Sequence, residues 1–146
     1  MKKMFLLFVC LFSLNLASWA GNDKPIQVSE LPKKAQEFLQ TYFAGRPVAL
    51  AKVDQELMER SYDVVFENGD AVEFDKKGRW THVDCEHSQV PVAVLPDEIH
   101  QYVTKHYPQA KVVKIELTDR KGYDVELSNG FELEFDKRFR LREIDR

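Results

Sequence analysis

The chain has 146 residues, 44% of them hydrophobic and 31% charged, with a formal net charge of −3 at pH 7. This length is enough for one compact domain, or for two small halves that share a core. The acidic balance argues against nucleic-acid binding, which requires a basic surface.

The N-terminal segment has the pattern of a cleavable secretory signal. A basic start at 1–3 precedes a short apolar run over 4–16, and small residues at Ser18 and Ala20 predict cleavage after Ala20. The run is too short for a membrane-spanning helix. A lipoprotein signal at Cys10 is the disfavoured alternative, since it would leave almost no export signal before it. We therefore expect a periplasmic or secreted protein with no membrane contact after cleavage.

A stretch of about fifty residues occurs twice after this signal. The matching segments are 31–32 with 95–96, 62–64 with 123–125, 68–69 with 129–130, and 73–76 with 134–137. The duplication predicts five parts: a signal peptide over 1–20, an N-terminal extension over 21–27, a first repeat over 28–85, a linker over 86–94, and a second repeat over 95–146.

Each repeat opens with a helix whose apolar residues recur every three or four positions. The helices follow Pro32 and Pro96, and Pro108 ends the second one, because proline cannot continue a helix. The two apolar stripes are Ala35, Phe38, Leu39 and Tyr42 in the first copy, and Ile99, Tyr102, Val103 and His106 in the second. Each helix therefore needs a surface to cover its apolar side.

Four strands follow each helix. Apolar and polar residues alternate on either side of Asn68-Gly69 and Asn129-Gly130, and this pattern is typical of β-hairpins. The predicted strands are 48–53, 62–67, 72–74 and 79–83, and then 112–117, 123–128, 131–135 and 140–144. Short turns make sequential strands antiparallel. We predict an α+β fold, with tandem helix-plus-four-strand repeats that form an antiparallel sheet, helices on one face and water on the other.

The order, spacing and duplication of these motifs resemble the PepSY-like family of Bacteroidetes, which is described as beta-lactamase-inhibitor-like. The similarity extends from about Val28 to the C-terminus. The resemblance implies the same α+β fold and relatives that grip an enzyme with an exposed sheet face or that are linked with peptidase inhibition. It assigns no inhibitory residue, and a shared fold does not establish a shared function.

The densest group of potential metal ligands lies at 82–87, where His82, Asp84, Cys85, Glu86 and His87 occur together. Zinc binds such side chains, but the regular ligand spacing of zinc sites is absent. The sequence favours a strand end that runs into a polar linker, with neither metal nor cofactor. Cys85, the one cysteine left after signal cleavage, is expected to be buried, although pairing between molecules is an alternative.

Carboxylates occupy many outward positions of the predicted strands. They are Asp63, Glu67, Glu73, Asp124, Glu126, Glu132 and Glu134. A solvated sheet face explains them better than a calcium site, because the turns at 75–78 and 136–138 offer too few oxygen ligands. We expect Arg140 and Arg142 to lie across from some of these acids.

No nucleophile with a supporting base is apparent, and no metalloprotease or phosphate-loop motif occurs, so the chain is expected not to be an enzyme. We predict a binding module, in its narrower form a peptidase or hydrolase inhibitor, that engages an unidentified periplasmic protein or peptide through the exposed sheet face. The predicted partner-binding residues are Asp124, Glu126, Glu132, Glu134, Arg140 and Arg142. A carrier of a small ligand or metal is the alternative.

Overall fold

The computed structural model describes residues 23–56 and 59–146, so the predicted signal peptide lies outside the described part. Two α-helices are present in that part, α1 over Lys33–Tyr42 and α2 over Asp97–His106. The strands are β1 Lys24–Ile26, β2 Val48–Glu56, β3 Glu59–Phe66, β4 Ala71–Phe74, β5 Trp80–Asp84, β6 Val112–Leu117, β7 Tyr123–Leu127, β8 Glu132–Phe135 and β9 Leu141–Asp145. A 3-10 helix precedes each α-helix, over Val28–Glu30 and Val92–Val94.

All nine strands form a single sheet in which each strand pairs antiparallel with the next along the chain. The α+β prediction of an antiparallel sheet with two helices is therefore confirmed. Strand β1 was not predicted, and it lies in the segment expected to be an N-terminal extension. It holds Pro25, which is tolerated at an edge because the outer N–H of an edge strand has no ladder partner.

Both helices pack on the same face of the sheet, here called the core face. The ring of Phe38 on α1 meets Phe74 edge-on at 5.5 Å between centroids, and Tyr102 on α2 meets Phe135 in the same way at 5.4 Å. Such edge-to-face contacts are a preferred aromatic geometry. Within the described residues no helix is long and apolar enough to cross a membrane.

Alternation along the strands places one buried residue every second position on the core face. The fully buried strand residues include Val64, Val72, Phe74, Val83, Ile115, Val125, Leu133 and Phe135. They form one continuous cluster with the buried residues of both helices. The core therefore runs across the whole sheet.

Cys85 belongs to this core, as the sequence indicated, and it is a free cysteine with no exposed surface. Burial raises the pKa of its thiol to about 12, and the nearby carboxylate of Asp70 adds to the effect. The thiol is therefore protonated at neutral pH, which makes it a poor nucleophile and a poor metal ligand.

His106 departs from the predicted helical stripe. Ile99 and Val103 are buried as expected, but His106 is exposed in the last turn of α2, where its ring tilts against Tyr102 at 4.3 Å. The inclusion of His106 in the apolar stripe that packs on the sheet was therefore wrong.

The segment after β5 is held by Asp70, which is the buried charged residue of the described chain. Its carboxylate accepts hydrogen bonds from the backbone N–H of His87 at 3.1 Å and from the Ser88 hydroxyl. It also pairs with Arg46 at 3.1 Å and accepts from the Asn68 amide at 2.9 Å. One carboxylate thus joins the α1–β2 loop, the β3–β4 turn and the segment that leads to α2.

Candidate functional site

The sheet face opposite the helices, here called the open face, carries a line of acidic side chains. Cross-strand partners share a face, so the pairing register identifies which residues are neighbours. From β3 to β9 the register joins Asp63, Glu73, His82, Glu116, Asp124, Glu134 and Glu143. This line is called the acidic row. It contains one residue that is not a carboxylate, and it crosses seven adjacent strands.

A second line of residues runs beside the acidic row. From β5 to β9 it consists of Asp84, Lys114, Glu126, Glu132 and Asp145. Acids therefore outnumber bases across the whole open face, and several stand directly opposite one another. Opposed like charges destabilise a sheet, so packing does not account for this arrangement.

Glu73 shows the electrostatic consequence most clearly. Burial, followed by the charges of Asp63, Glu116 and Asp54, raises the pKa of its carboxyl from 4.5 to about 7. A carboxyl in such surroundings holds a proton near neutral pH, because adding another negative charge to the cluster is costly. Oδ1 of Asp54 is itself buried without a hydrogen-bond partner.

Lys52 is one of two lysines that partly neutralise the face. Its ammonium lies 2.7 Å from Asp23 and 3.4 Å from Asp63. Burial alone would lower the pKa of Lys52, but these two carboxylates raise it above its ordinary value.

Lys114 is the second of these lysines. Its ammonium contacts Glu86 at 2.7 Å, Glu126 at 3.4 Å and Asp84 at 3.8 Å. Burial opposes its charge, while the three carboxylates raise its pKa. The lysines therefore stay charged, and each is shared among several acids.

Four of the six predicted partner-binding residues come together on the open face. Asp124 is paired with Glu134, and Glu126 is paired with Glu132, across β7 and β8. Burial, then the charges of Glu126 and Asp145, raises the pKa of Glu132. The sequence thus identified a contiguous acidic patch, whose role in partner binding stays a prediction.

Arg140 and Arg142 do not pair with these acids as expected. Both guanidinium groups contact Asp136 at the β8–β9 turn, at 2.9 Å and 3.0 Å. The register shifts between Glu134 and Phe135, so Arg142 has no direct cross-strand partner on β8. The expected pairing was wrong because this irregularity directs the arginines to the end of the strand.

Several residues of the open face were missed from the sequence. Glu116, Glu143 and Asp145 were not among the predicted outward carboxylates, although each lies beside a residue that faces the core. The alternation around Ile115 and Ile144 was the available signal. What alternation could not supply was the alignment of separate strands into one row.

The potential metal ligands at 82–87 are divided by the fold. His82 and Asp84 lie on the open face, while Cys85 is buried in the core and His87 is exposed after the strand. Across 23–56 and 59–146, no three or more His, Cys, Asp or Glu side chains are grouped so that they could hold a metal ion. The geometry therefore does not support a carrier site at this segment.

The aspartates of the two β-turns serve the turns themselves. Asp75 accepts the backbone N–H groups of Lys77 and Arg79, and its other oxygen binds the Arg79 guanidinium at 2.8 Å. Asp136 does the same with Arg138 and Arg140, and these bonds lower its pKa to about 2. Both carboxylates are therefore engaged by hydrogen bonds and an arginine within their own turns.

The arrangement offers electrostatic attraction and hydrogen-bond acceptors over a broad sheet surface. The thiol of Cys85 is buried and protonated, so it is not available as a nucleophile. An extended acidic surface of this kind suits recognition of a cationic surface better than the positioning of one reacting atom.

Comparison with known proteins places these features in a family. Residues 60–143 match the family described as "Putative beta-lactamase-inhibitor-like, PepSY-like". No curated protein matches the sequence.

Three solved structures are similar over most of their length. A DUF2874-family protein from Bacteroides vulgatus is 53% identical with a TM-score of 0.84, covering 87% of this chain and 99% of that one. A Bacteroides thetaiotaomicron protein, named a "putative calcium-regulated periplasmic protein", is 53% identical with a TM-score of 0.82, covering 85% and 97%. A second Bacteroides vulgatus protein, of unknown function, is 35% identical with a TM-score of 0.78, covering 85% and 99%. All three are named as periplasmic. The chain belongs to the PepSY-like, beta-lactamase-inhibitor-like family.

Proposed function

We propose that this protein is a non-enzymatic binding module of the periplasm that captures a partner protein through the open face of its sheet. The observation that carries the proposal is the acidic row, which crosses seven strands on the face away from both helices. Opposed carboxylates cost stability, and departures of this kind from good packing chemistry concentrate at functional sites.

The chemistry of the face favours a partner with a basic surface. Complementary charge steers association and suppresses wrong partners. In the acidic row every strand from β3 to β9 supplies a carboxylate, except β5, which supplies His82. Lys52 and Lys114 offset part of this charge. A cationic protein surface or peptide would complete the neutralisation.

The family and its neighbours support this function at a coarser level. An inhibitor-like description fits a protein that binds another protein, and periplasmic neighbours fit the predicted export signal with cleavage after Ala20. In its narrower form the proposal is inhibition of a peptidase or another hydrolase. We also infer that the two helix-plus-four-strand units arose as tandem repeats. The duplicated motifs lie in strands that pair in equivalent ways, β3 with β4 and β7 with β8.

Charge reversal within the predicted patch tests the proposal. The variant Glu132→Lys with Glu134→Lys should lose a partner recovered by mild crosslinking in the native periplasm, while its thermal unfolding stays nearly unchanged. The matched control reverses the exposed helix residues Glu37 and Glu98, which changes the net charge equally on the other side of the sheet. Equal recovery with both variants would contradict a role for the open face.

Calcium binding is a second candidate function. The register places Glu116, Asp124, Glu134 and Glu143 on four successive strands, and one relative is named as calcium-regulated. Oxygen ligands of this type suit calcium, although the side chains as they stand are not grouped around one point. A divalent cation would relieve their mutual repulsion.

Thermal unfolding with added calcium separates this candidate from the first. If calcium binds, Tm should rise with calcium concentration, and by more than it rises with added magnesium. This rise should be lost in the double variant Glu134→Gln with Glu143→Gln. The Glu37→Gln and Glu98→Gln pair is the control. An equal response to both ions would show general screening of the acidic face and would remove calcium as a specific ligand.

A further inference from the structure

The last strand, β9, lies against its inner neighbour in the same way as β5 does. Strand β5 meets β4 through Val72 opposite Val83 and Phe74 opposite Trp80, with a register shift between these pairs. Strand β9 meets β8 through Leu133 opposite Ile144 and Phe135 opposite Leu141, with the same shift. The outer edge of β5 therefore indicates what the outer edge of β9 can hold.

The outer edge of β5 is occupied by β6. The pairs are Asp84 with Lys114, Val83 with Ile115, and His82 with Glu116. The backbone N–H of Cys85 extends this ladder by donating to the Val113 carbonyl at 2.7 Å. With β6 in place, Val83 has 0% of its surface exposed.

The outer edge of β9 has no paired strand within the described residues. Ile144, which corresponds to Val83, is 46% exposed although its side chain lies on the core face. Unpaired strand edges present N–H and C=O groups that can pair with another chain. The opposite edge of the sheet is less suitable, because β1 has three residues and includes Pro25.

Charge at this edge specifies what an added strand would carry. On β5, Asp84 is opposite Lys114, but on β9 the corresponding Asp145 lies beside Glu132 on β8. The neighbouring Glu143 likewise faces Glu134. In the described part of the chain no strand pairs with β9 on its outer side to place a base opposite Asp145 or Glu143. Burial, followed by the charges of Glu126 and Asp145, raises the pKa of Glu132.

We propose that β9 accepts an extended segment of the partner protein as an additional antiparallel strand, with basic, aliphatic and basic residues opposite Asp145, Ile144 and Glu143. This inference rests on the proposed binding function and names the form in which the partner binds. The backbone ladder would supply affinity and the three side chains would supply specificity, as in other cases of strand addition. The aliphatic residue would cover Ile144 as Ile115 covers Val83.

A synthetic peptide with the sequence of residues 111–118 and the change Glu116→Lys is the probe, since β6 is the strand that fits the equivalent edge. We expect saturable NMR shifts with peptide at up to about 1 mM, centred on β9, together with slower amide exchange at Glu143 to Asp145. The same peptide N-methylated on its ladder-forming amides should not bind. Absence of binding, or shifts confined to the acidic row of β3 to β7, would overturn the proposal.

A charge swap provides the matched control. Asp145→Lys should lower the affinity of the protein for the peptide by roughly threefold to tenfold. A second peptide that carries Lys114→Glu should recover binding to that variant. Equal affinity of all combinations would overturn the predicted register. Sedimentation of the protein alone should show a monomer, and a dimer disrupted by Ile144→Lys would overturn the proposal by assigning the edge to a second copy.

The outcomes of the peptide experiment can be distinguished from those of the capture experiment. Loss of the periplasmic partner on Glu132 and Glu134 reversal without peptide binding would retain the open face as the binding surface and reject strand addition. Peptide binding without any effect of that reversal would retain the β9 edge and reject the open face.

Discussion

Asp70 is a charged residue placed where charge is expensive, and its contacts explain how it is tolerated. The carboxylate has no exposed surface, yet Arg46, Asn68, His87 and Ser88 all contribute hydrogen bonds or charge to it. Buried charges persist when they are paired and fully hydrogen-bonded. The second half has Phe131 at the corresponding position after Asn129-Gly130, where it packs against Tyr107 at 5.2 Å.

Removing this carboxylate should be costly. Asp70→Ala removes the partner of the Arg46 charge and the acceptor of hydrogen bonds from Asn68, His87 and Ser88, so we expect a loss of about 3 kcal/mol in the free energy of unfolding. Urea unfolding followed by circular dichroism measures the change. Glu67→Ala, in the same turn but exposed, should stay within about 0.5 kcal/mol of the parent protein. Similar losses in both variants would show that Asp70 acts only through the turn.

Glu73 should make stability depend on pH near neutrality. Its pKa is about 7 in the folded chain against an ordinary 4.5, so the folded state binds the proton more tightly. The stabilisation is complete below about pH 4.5 and is lost as the pH rises through 7. The free energy of unfolding of Glu73→Gln should therefore exceed that of the parent protein by about 1–2 kcal/mol at pH 8, after allowance for solvent screening. At pH 4 the two proteins should be equally stable.

Carbon-13 NMR of the Glu73 carboxyl checks the cause directly. The midpoint should lie near 7 and should fall in Asp63→Asn, because that change removes the neighbouring negative charge. A midpoint near 4.5 in the parent protein would contradict the electrostatic reading of the acidic row.

At the scale of elements, the β4–β5 turn and helix α1 fit together at a glycine. Gly78 has φ of +79°, and a Cβ there would lie 2.9 Å from the backbone nitrogen of Ala35 and 2.9 Å from Cβ of Pro32. Gly130 has a similar φ of +87° but open space around its Cβ position. A comparison of substitutions at the two positions therefore separates the cost of backbone strain from the cost of steric contact.

Alanine at each position should show this difference. Gly130→Ala should cost about 1–2 kcal/mol from the left-handed backbone alone. Gly78→Ala should cost roughly 1–3 kcal/mol more, because the α1 backbone must move to admit a methyl group. Denaturant unfolding of both variants measures the difference, and equal losses would mean that α1 and the turn are not in close contact.

At the scale of the whole molecule, the fold separates apolar and acidic surfaces onto the two faces of one sheet. The helices cover the core face, while the acidic row spans β3 to β9 on the other. A net charge of −3 gives no indication of this, because basic residues lie elsewhere on the surface. The local field at the open face is therefore much more negative than the composition suggests.

Most elements could be predicted because their signals are local. Asn68-Gly69 and Asn129-Gly130 marked two hairpins, and alternation on either side identified which residues face the core. Strand β1 could not be found in this way, since three residues around a proline show no alternation and its position depends on pairing with β2. The pairing of Arg142 was missed because a register shift cannot be read from alternation.

The sequence by itself determined the helices, the hairpins, the apolar side of each strand and the resemblance to an exported family, since each depends on periodicity or on motifs within a few residues. Only the tertiary structure decided that Glu73, Glu116 and Glu134 belong to one row, that Cys85 is separated from His82, and that β9 ends the described sheet with Ile144 exposed. The physical reason is that cross-strand register brings together residues far apart in the chain, and their charges interact only once that register is formed.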